Sequence, residues 1–480
     1  MSARIKLRRR RRTKIIATLG PVTESPERLK EMMLAGVNIF RLNMSHAKHE
    51  WVRGLCASIR KISAELNLHV GLLLDTQGPE IRTGDLPNKL NLKPGDKFTF
   101  TVRGAKREEH FSVDVNYNDM VDDISVGDIV LVDSGVIRMK VLEKDQNHLV
   151  CEVLTEGVMG SRRHINLPGV KVNLPALTEK DIADILLGIE CGIDYVALSF
   201  VREPSDIHEL RKLLRENNAL HIRAIAKIED QQAVKNLDAI IAESDGVMVA
   251  RGDLGIECPF EDLPIIQRRI VRTCIREMKP VIVATHMLES MIQNPIPTRA
   301  EITDVANAVY EQADCIMLSG ETTVGAYPVE SVKTLDKIAA RTERSGTSEH
   351  QGTIVLKTDR HFVARSAVDL ADRTAASAIC VFTRTGNLAE ITAALRPKRS
   401  SIFAFTVGEG LCSRLTLNYG IRSFVLPFPA SPNETVVLAE KHLRDKGLVG
   451  TGDKLVFISD IRLNDNDDQL INAVLLHDVR

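Results

Sequence analysis

Two acidic side chains and a lysine stand out in the run Ile222–Glu257, IRAIAKIEDQQAVKNLDAIIAESDGVMVARGDLGIE. In its first part, IRAIAKIE, alternate residues share one face of an extended segment. Ile225, Lys227 and Glu229 therefore point the same way, and an amine sits beside a carboxylate at a strand end. In its second part, GVMVARGDLG, a wholly apolar run stops at Arg251, Gly252 and Asp253, which puts a second carboxylate at a comparable strand end. Two carboxylates with open space before them suit a hard divalent ion that keeps waters and takes its remaining oxygens from a substrate. Lys227 would add a point charge beside that ion. Spacing alone leaves two plainer readings open, a solvated Lys227–Glu229 surface pair and a simple GDLG turn.

These groups converge only if their strands are neighbours in one parallel sheet, and the surrounding chain has the rhythm of such a sheet. From Thr13 a strand at Lys14–Gly20 is followed by a helix over SPERLKEMMLAG, which opens on Ser-Pro-Glu and closes at Gly36. A strand at Asn38–His46, an amphipathic helix through Leu68 and an apolar strand at Val70–Thr76 follow. The rhythm breaks between about Pro79 and Val170, where no helix pattern is found. Turn signals (KPGD, VGD, DSG) there separate β-rich runs at Lys97–Val102, Ile129–Val132 and Ile137–Leu142. LTEK, with Thr178 as cap, restarts the alternation. Strands are expected at Asp194–Phe200, Ile222–Glu229, Gly246–Ala250, Pro280–Thr285 and Cys315–Ser319. Three strands before the break and five after it predict a (β/α)8 TIM barrel, an α/β fold, with an inserted small all-β domain.

Polar residues gather at the carboxyl ends of different strands: Arg41, Asn43 and Ser45; Asp75 and Thr76; Lys227 and Glu229; Asp253; Thr285 and His286; Ser319 and Glu321. Packing gives independent strands no reason to collect polar side chains at one end, so a shared site at that face of the barrel is the economical explanation.

A polar linker after Arg344 leads to a further alternating region. Helices are expected at His361–Ala376, Leu388–Leu395, Ser413–Asn418 and Thr435–Lys446, and strands at Ile379–Thr383, Ile402–Thr406, Ser423–Pro427, Lys454–Ser459 and Asn472–His477. This predicts a C-terminal open α/β domain of about five mostly parallel strands. The resulting division is a basic tail at 1–12, a barrel from 13–78 and 171–344, an inserted β-barrel lid at 79–170 and a C-terminal domain at 353–480.

At 480 residues the chain exceeds what one core serves, and its net charge of −1 gives no overall pull towards nucleic acid or membrane. The Arg8–Arg12 run reads as a solvated tail, with no apolar segment behind it to make a signal peptide. Eight scattered cysteines without a CxxC pair read as reduced thiols, and no apolar run reaches the ~18 residues of a membrane span, so a cytoplasmic protein is expected.

In order along the chain stand TKIIATLGP, FRLNMSH, LLDTQGPEIRTG, IAKIED, VMVARGDLG, ATHMLESM, PTRAEITDVANAV and MLSGETTVGAYPVE. Through them the sequence closely resembles the pyruvate kinase family over nearly its whole length. The resemblance implies transfer of the phosphoryl group of phosphoenolpyruvate to ADP, giving pyruvate and ATP. It implies Mg2+ or Mn2+ held by Glu229 and Asp253, and Lys227 steadying the phosphoryl group in flight. Arg41 would bind phosphate through its planar fork, with Arg82 a second active-site arginine. Gly252, Asp253 and Thr285 would line the substrate, and Thr285 and Ser319 would stand near the carbon that takes a proton.

Asn43, Ser45, Asp75 and Thr76 match the family's K+ ligands, and Glu80, where some members carry lysine, places the chain among the potassium users. A homotetramer is the family's usual assembly. Two departures lie near the site: His286 stands where the family usually has Gln, and Ala47 where it usually has Gly. The family's phosphate loop for a phosphorylated effector survives only as Thr383, Thr385 and Gly386, with Asn387 and Leu388 beyond them. The glycine-rich stretch near its carboxyl end is replaced by FISDIRLNDNDDQL.

Overall fold

Eight short strands hydrogen-bond side by side in sequence order and close a parallel barrel: β1 (Lys14–Thr18), β2 (Ile39–Asn43), β3 (Gly71–Asp75), β4 (Tyr195–Leu198), β5 (Arg223–Ile228), β6 (Gly246–Ala250), β7 (Val281–Ala284) and β8 (Cys315–Leu318). The computed structural model describes residues 11–105, 111–346, 350–428, 432–462 and 470–480. Period-2 alternation explains why the strands are apolar on both faces. Ile16, Ile39, Leu73, Tyr195, Ile225 and Met248 fill the lumen, while Ile15, Phe40, Leu72 and Val247 pack under the surrounding helices. Most strands end a residue or two earlier than their sequence patterns suggest, so Glu229, Thr285 and Ser319 stand just past the last paired residue.

Local chemistry sets the helix limits. Ser25 accepts from Arg28 N at the start of Pro26–Ala35, and Gly36 ends that helix at φ +118°, a left-handed conformation open to glycine. Thr178 and Asp181 form a reciprocal capping box on Glu179–Glu190.

Between β3 and β4 the chain leaves the barrel and folds around its own core of Phe98, Phe100, Val130, Met139 and Leu149. Hydrogen bonding there follows a six-stranded sheet and a two-stranded ribbon rather than the closed barrel expected. Isolated bridges Arg82–His164 and Thr83–Val115 tie the connecting segment to residues at or beside its two edge strands. One short helix, Met120–Asp123, lies where none was expected; four residues carry too little periodicity to read.

The C-terminal sheet has five strands, ordered Ile421–Val425, Ser401–Thr406, Ala378–Phe382, Lys454–Arg462 and Leu470–Asp478, all parallel except the last. The helix expected at Ser413–Asn418 instead runs over Glu409–Arg414 and tightens to a 3-10 turn at Leu415–Leu417. Leu417 joins the lumen residues, so this domain plugs the barrel floor. Arg396 grips Asp314 through two bonds of 2.7 and 3.0 Å across the same junction.

The solvated-tail expectation fails for Arg11 and Arg12. Arg11 donates to Asp336 Oδ1 (2.9 Å) and Gly36 O (2.7 Å), and Arg12 to the carbonyls of Pro397 and Lys398. Each guanidinium finds acceptors on elements distant in sequence, which composition cannot reveal. Arg8 to Arg10 lie outside the described residues.

Candidate active site

The carboxyl ends of β2 to β5 converge on one buried ammonium. Lys227 Nζ donates to Ser199 Oγ (2.7 Å) and lies 2.9 Å from Glu229 Oε1 and 3.1 Å from Asp75 Oδ1. The pleat that puts Lys227 and Glu229 on one face makes the first contact, and the closure of β3 against β4 and of β4 against β5 makes the others. Asp75 is wholly buried, and its second oxygen accepts from Arg41 Nε at 2.5 Å. Arg41 also donates to Thr18 Oγ (3.1 Å), and its Nη2 has no hydrogen-bond partner among the described residues.

Electrostatics divide this cluster unequally. Burial opposes the Lys227 charge, but Asp75 and Glu229 outweigh it and hold the pKa above the ordinary lysine value. Burial likewise works against the Asp75 carboxylate, yet Arg41 and Lys227 together hold its pKa below the usual range. Glu229 is worse compensated. Burial pushes it up to about 7, Asp253's charge adds to the rise, and Lys227 opposes it.

Asp253 sits on the first turn of the helix Arg251–Glu257, directly after β6, rather than in a plain turn. Since β5 and β6 are paired neighbours, the two carboxylates stand just past the ends of adjacent strands. Among the described residues Asp253's carboxylate has no hydrogen-bond or ion-pair partner, whereas Glu229 Oε2 accepts from Phe200 N at 2.6 Å. An unpartnered carboxylate beside an undercompensated one fits a divalent cation. Among the described residues no three His, Cys, Asp or Glu side chains gather, so such an ion would rely on two protein carboxylates.

Next along the barrel, Thr285 Oγ accepts from Gly252 N (2.8 Å) and donates to Ala284 O (2.7 Å). Its φ of +68° is a rare conformation for a β-branched residue, and His286 follows at +55°. Arg251 supports the bend by donating to the carbonyls of Ala284 and Thr285 while paired with Asp304 (2.8 Å). His286 is 60% exposed and lies 3.5 Å from Glu289. Ser319 Oγ is buried and has no partner among the described residues, whereas both oxygens of Glu321 are spent on the amides of Ser319 and Leu288. Glu321 is therefore a loop fastener.

Asn43 and Asp75 are register partners on β2 and β3. Asn43 Oδ1 accepts from Ser45 N (3.3 Å), and Thr76 Oγ accepts from Ser199 N (3.0 Å). The four residues matched to potassium ligands thus cluster, although Asp75 is already occupied by two cations. Arg82 makes no hydrogen bond or ion pair with the Lys227 cluster among the described residues. At the junction with the inserted sheet, its Nε donates to Glu80 Oε2 (2.6 Å). Thr383 Oγ accepts from Gly386 N (2.9 Å) at the helix start Asn387–Ala394, Thr385 is exposed and Leu388 is buried.

Ser199 and Thr18 were not singled out in the sequence. Each is the first polar residue after or at the end of an apolar strand, the same pattern that marks Asp75.

A family model described as pyruvate kinase, barrel domain, matches residues 10–332, and one described as pyruvate kinase, alpha/beta domain, matches residues 361–469. A curated pyruvate kinase of Geobacillus stearothermophilus is 42% identical over 464 residues, covering 94% of this chain and 78% of its own length. One of Clostridium acetobutylicum is 38% identical over 459 residues, covering 94% and 97%. The chloroplastic pyruvate kinase isozyme G of Nicotiana tabacum is 42% identical over 454 residues, covering 93% and 80%. A crystal structure of a pyruvate kinase from Cryptosporidium parvum aligns with a TM-score of 0.93 at 33% identity, over 99% of this chain and 97% of that one.

Proposed function

The chain belongs to the pyruvate kinase family, an assignment its barrel and its α/β domain each carry, and on that premise we propose how its own residues divide the work. The reaction moves the phosphoryl group of phosphoenolpyruvate to ADP, releasing ATP and an enolate that is protonated to pyruvate. The observation that carries the residue assignment is the buried Lys227 ammonium between Asp75 and Glu229.

Lys227 is the electrostatic stabiliser of the transferring group, a donor held in place before the reaction begins. Arg41, fixed by Asp75 and Thr18, offers its remaining edge to the phosphate. Glu229 and Asp253 would hold Mg2+ or Mn2+, which when bound neutralises charge on the phosphoryl oxygens. Gly252 and Thr285 shape the floor under the substrate. Thr285 and the orphaned Ser319 hydroxyl order the proton source for the enolate carbon. Arg82 acts from the hinge. The inserted sheet touches the barrel through Asn166 on Glu257 (2.8 Å) and serves as a lid that keeps water from competing with ADP. Pyruvate formation that requires both phosphoenolpyruvate and ADP is the direct test.

Asn43, Ser45, Asp75 and Thr76 would hold K+, with Glu80 leaving the added positive charge to that ion. Replacing sodium by potassium should raise the rate at least ~10-fold by removing one uncompensated charge in the transition state. An equal rate in the two salts would sink the assignment of these four residues.

Because burial pushes Glu229 up to about 7, divalent-ion binding must displace a proton below that pH. Affinity for Mg2+ should rise ~10-fold per pH unit up to about 7 and then level off. Calorimetry in buffers of different ionisation enthalpy should find about one proton released at pH 6 and almost none at pH 8. In the metal-free protein the same raised value means stability present at acidic pH and lost as pH rises through about 7.

The exposed apolar side chains of Phe260 (83%), Ile265 (68%) and Ile296 (73%) favour burial against further copies, in keeping with a homotetramer. Eight free cysteines suit the reducing cytoplasm, and no described helix is long and apolar enough to cross a membrane. Thr383, Thr385 and Gly386 retain part of a phosphate loop for an effector. Leu388 supplies no donor there, so a loop effector would be held weakly.

A further inference from the structure

In the helical layer outside the barrel two cysteines face each other across neighbouring elements. Cys56 lies on the helix His49–Glu65, and Cys191 caps the carboxyl end of the helix Glu179–Glu190. Arg53, Cys56 and Arg60 fall on one face of the first helix, spaced by three and four residues. Arg53 donates to both oxygens of Glu190 (3.0 and 2.9 Å), and Arg60 donates to Gly192 O (2.7 Å) and Asp194 Oδ2 (2.9 Å). Residues one turn to either side of Cys56 are thus bonded to the residues immediately before and after Cys191. The two thiols are thereby brought into hydrogen-bond contact. Among the described residues no other cysteine hydrogen-bonds a second thiol.

The pair is unequal in access and in acidity. Cys56 is buried in the core, whereas Cys191 is only half-buried. Burial pushes Cys56 up to about 12; the charge of Cys191, the hydrogen bond between the thiols and Asp194 add to the rise, and Arg60 opposes it. Burial also raises Cys191, and Glu190 adds to that, but the S–H of Cys56 and the Arg53 guanidinium pull the other way. Cys191 therefore gives up its proton first, and it is the thiol that solvent reaches. A thiolate with a protonated thiol held against it is poised to carry a first oxidation on to a disulfide.

We propose that Cys191 and Cys56 form a redox pair, in which a hydroperoxide oxidises Cys191 and Cys56 resolves the product into a disulfide within the chain. The Cys191 thiolate attacks one peroxide oxygen, the O–O bond breaks, sulfur becomes S–OH, and water or an alcohol leaves once it has taken a proton. Cys56 sulfur then displaces the hydroxyl, which departs as water with the Cys56 proton, and the S–S bond forms. Two thiols are oxidised by two electrons in total and the peroxide is reduced by the same two; an external dithiol reverses the change. The bond closes a ring that holds β3 and the whole inserted sheet, and so staples the barrel wall from which that sheet departs. Disulfides of this reversible kind are the ones a reducing compartment tolerates.

The test treats the full, reduced chain with hydrogen peroxide in modest excess, alkylates the remaining thiols and maps the peptides by mass. The expected result is loss of two of the eight free thiols, a cross-linked Cys56–Cys191 peptide lighter by two hydrogens, and a rise in Tm of about 4 °C that dithiothreitol abolishes. Cys191→Ser should keep all its thiols under the same dose. In Cys56→Ser oxidation should stop at a sulfenic acid on Cys191, captured by dimedone. A parent chain without that cross-link, oxidation that falls first on other cysteines, or undiminished thiol loss in Cys191→Ser overturns the proposal. Cys191→Ser, at the half-buried position, decides alone if Cys56→Ser does not fold.

Discussion

Lys227→Met should lower kcat by about 10²-fold to 10³-fold, the loss expected when one preorganised donor is removed from a water-excluded site, equivalent to roughly 2.7–4 kcal/mol of transition-state stabilisation. Methionine matches the stem of lysine in length and keeps the packing, so the substitution isolates the charge. KM for phosphoenolpyruvate should move much less, because Arg41 and the carboxylates that would hold the divalent ion stay in place. The loss also removes the counter-charge of Asp75 and Glu229 at 3.1 and 2.9 Å, so the pKa of both carboxyls should rise and metal binding should shift to higher pH. Turnover within a few-fold of the parent, measured well below the variant's Tm, would refute the role.

The barrel was legible because its information is local and redundant. Each strand of β1 to β8 is an apolar run stopped by a polar residue, and any one could be misjudged without changing the count. Reading failed where the deciding contact crosses the chain. Nothing in the basic run says that Arg11 meets Asp336 or that Arg12 caps the carbonyls of Pro397 and Lys398. Glu321 sits among polar strand-end residues, and only the contacts of its two oxygens with the amides of Leu288 and Ser319 settle that it fastens the loop. The isolated bridges at Arg82 and Thr83, which tie the connecting segment to the inserted sheet, have no periodic signature. At the site, period-2 spacing was enough to aim Lys227 and Glu229 together. Ser199, 28 residues away, joins them only because β4 and β5 pair.

The same cross-strand logic makes Asp75 more than an oxygen donor to a monovalent cation. Its two oxygens are claimed by Arg41 at 2.5 Å and Lys227 at 3.1 Å, so one carboxylate aims both positive groups assigned to the phosphate. Asp75→Asn should therefore lower turnover at least ~10²-fold through loss of aim, since the amide keeps the shape but cannot balance two buried cations. If Asp75 served potassium alone, raising the K+ concentration would restore the rate; the expected result is no recovery at saturating K+. Stability should fall too, by about 3–5 kcal/mol at neutral pH, the cost of leaving buried charge unpaired. The carboxyl's pKa is held below the usual range, so its contribution exists above the ordinary aspartate pKa and is lost as pH falls through the depressed folded value. The Tm difference between parent and variant should accordingly be full at pH 7 and shrink below pH ~4. A potassium-rescued, fully stable Asp75→Asn chain would return this residue to the cation site alone.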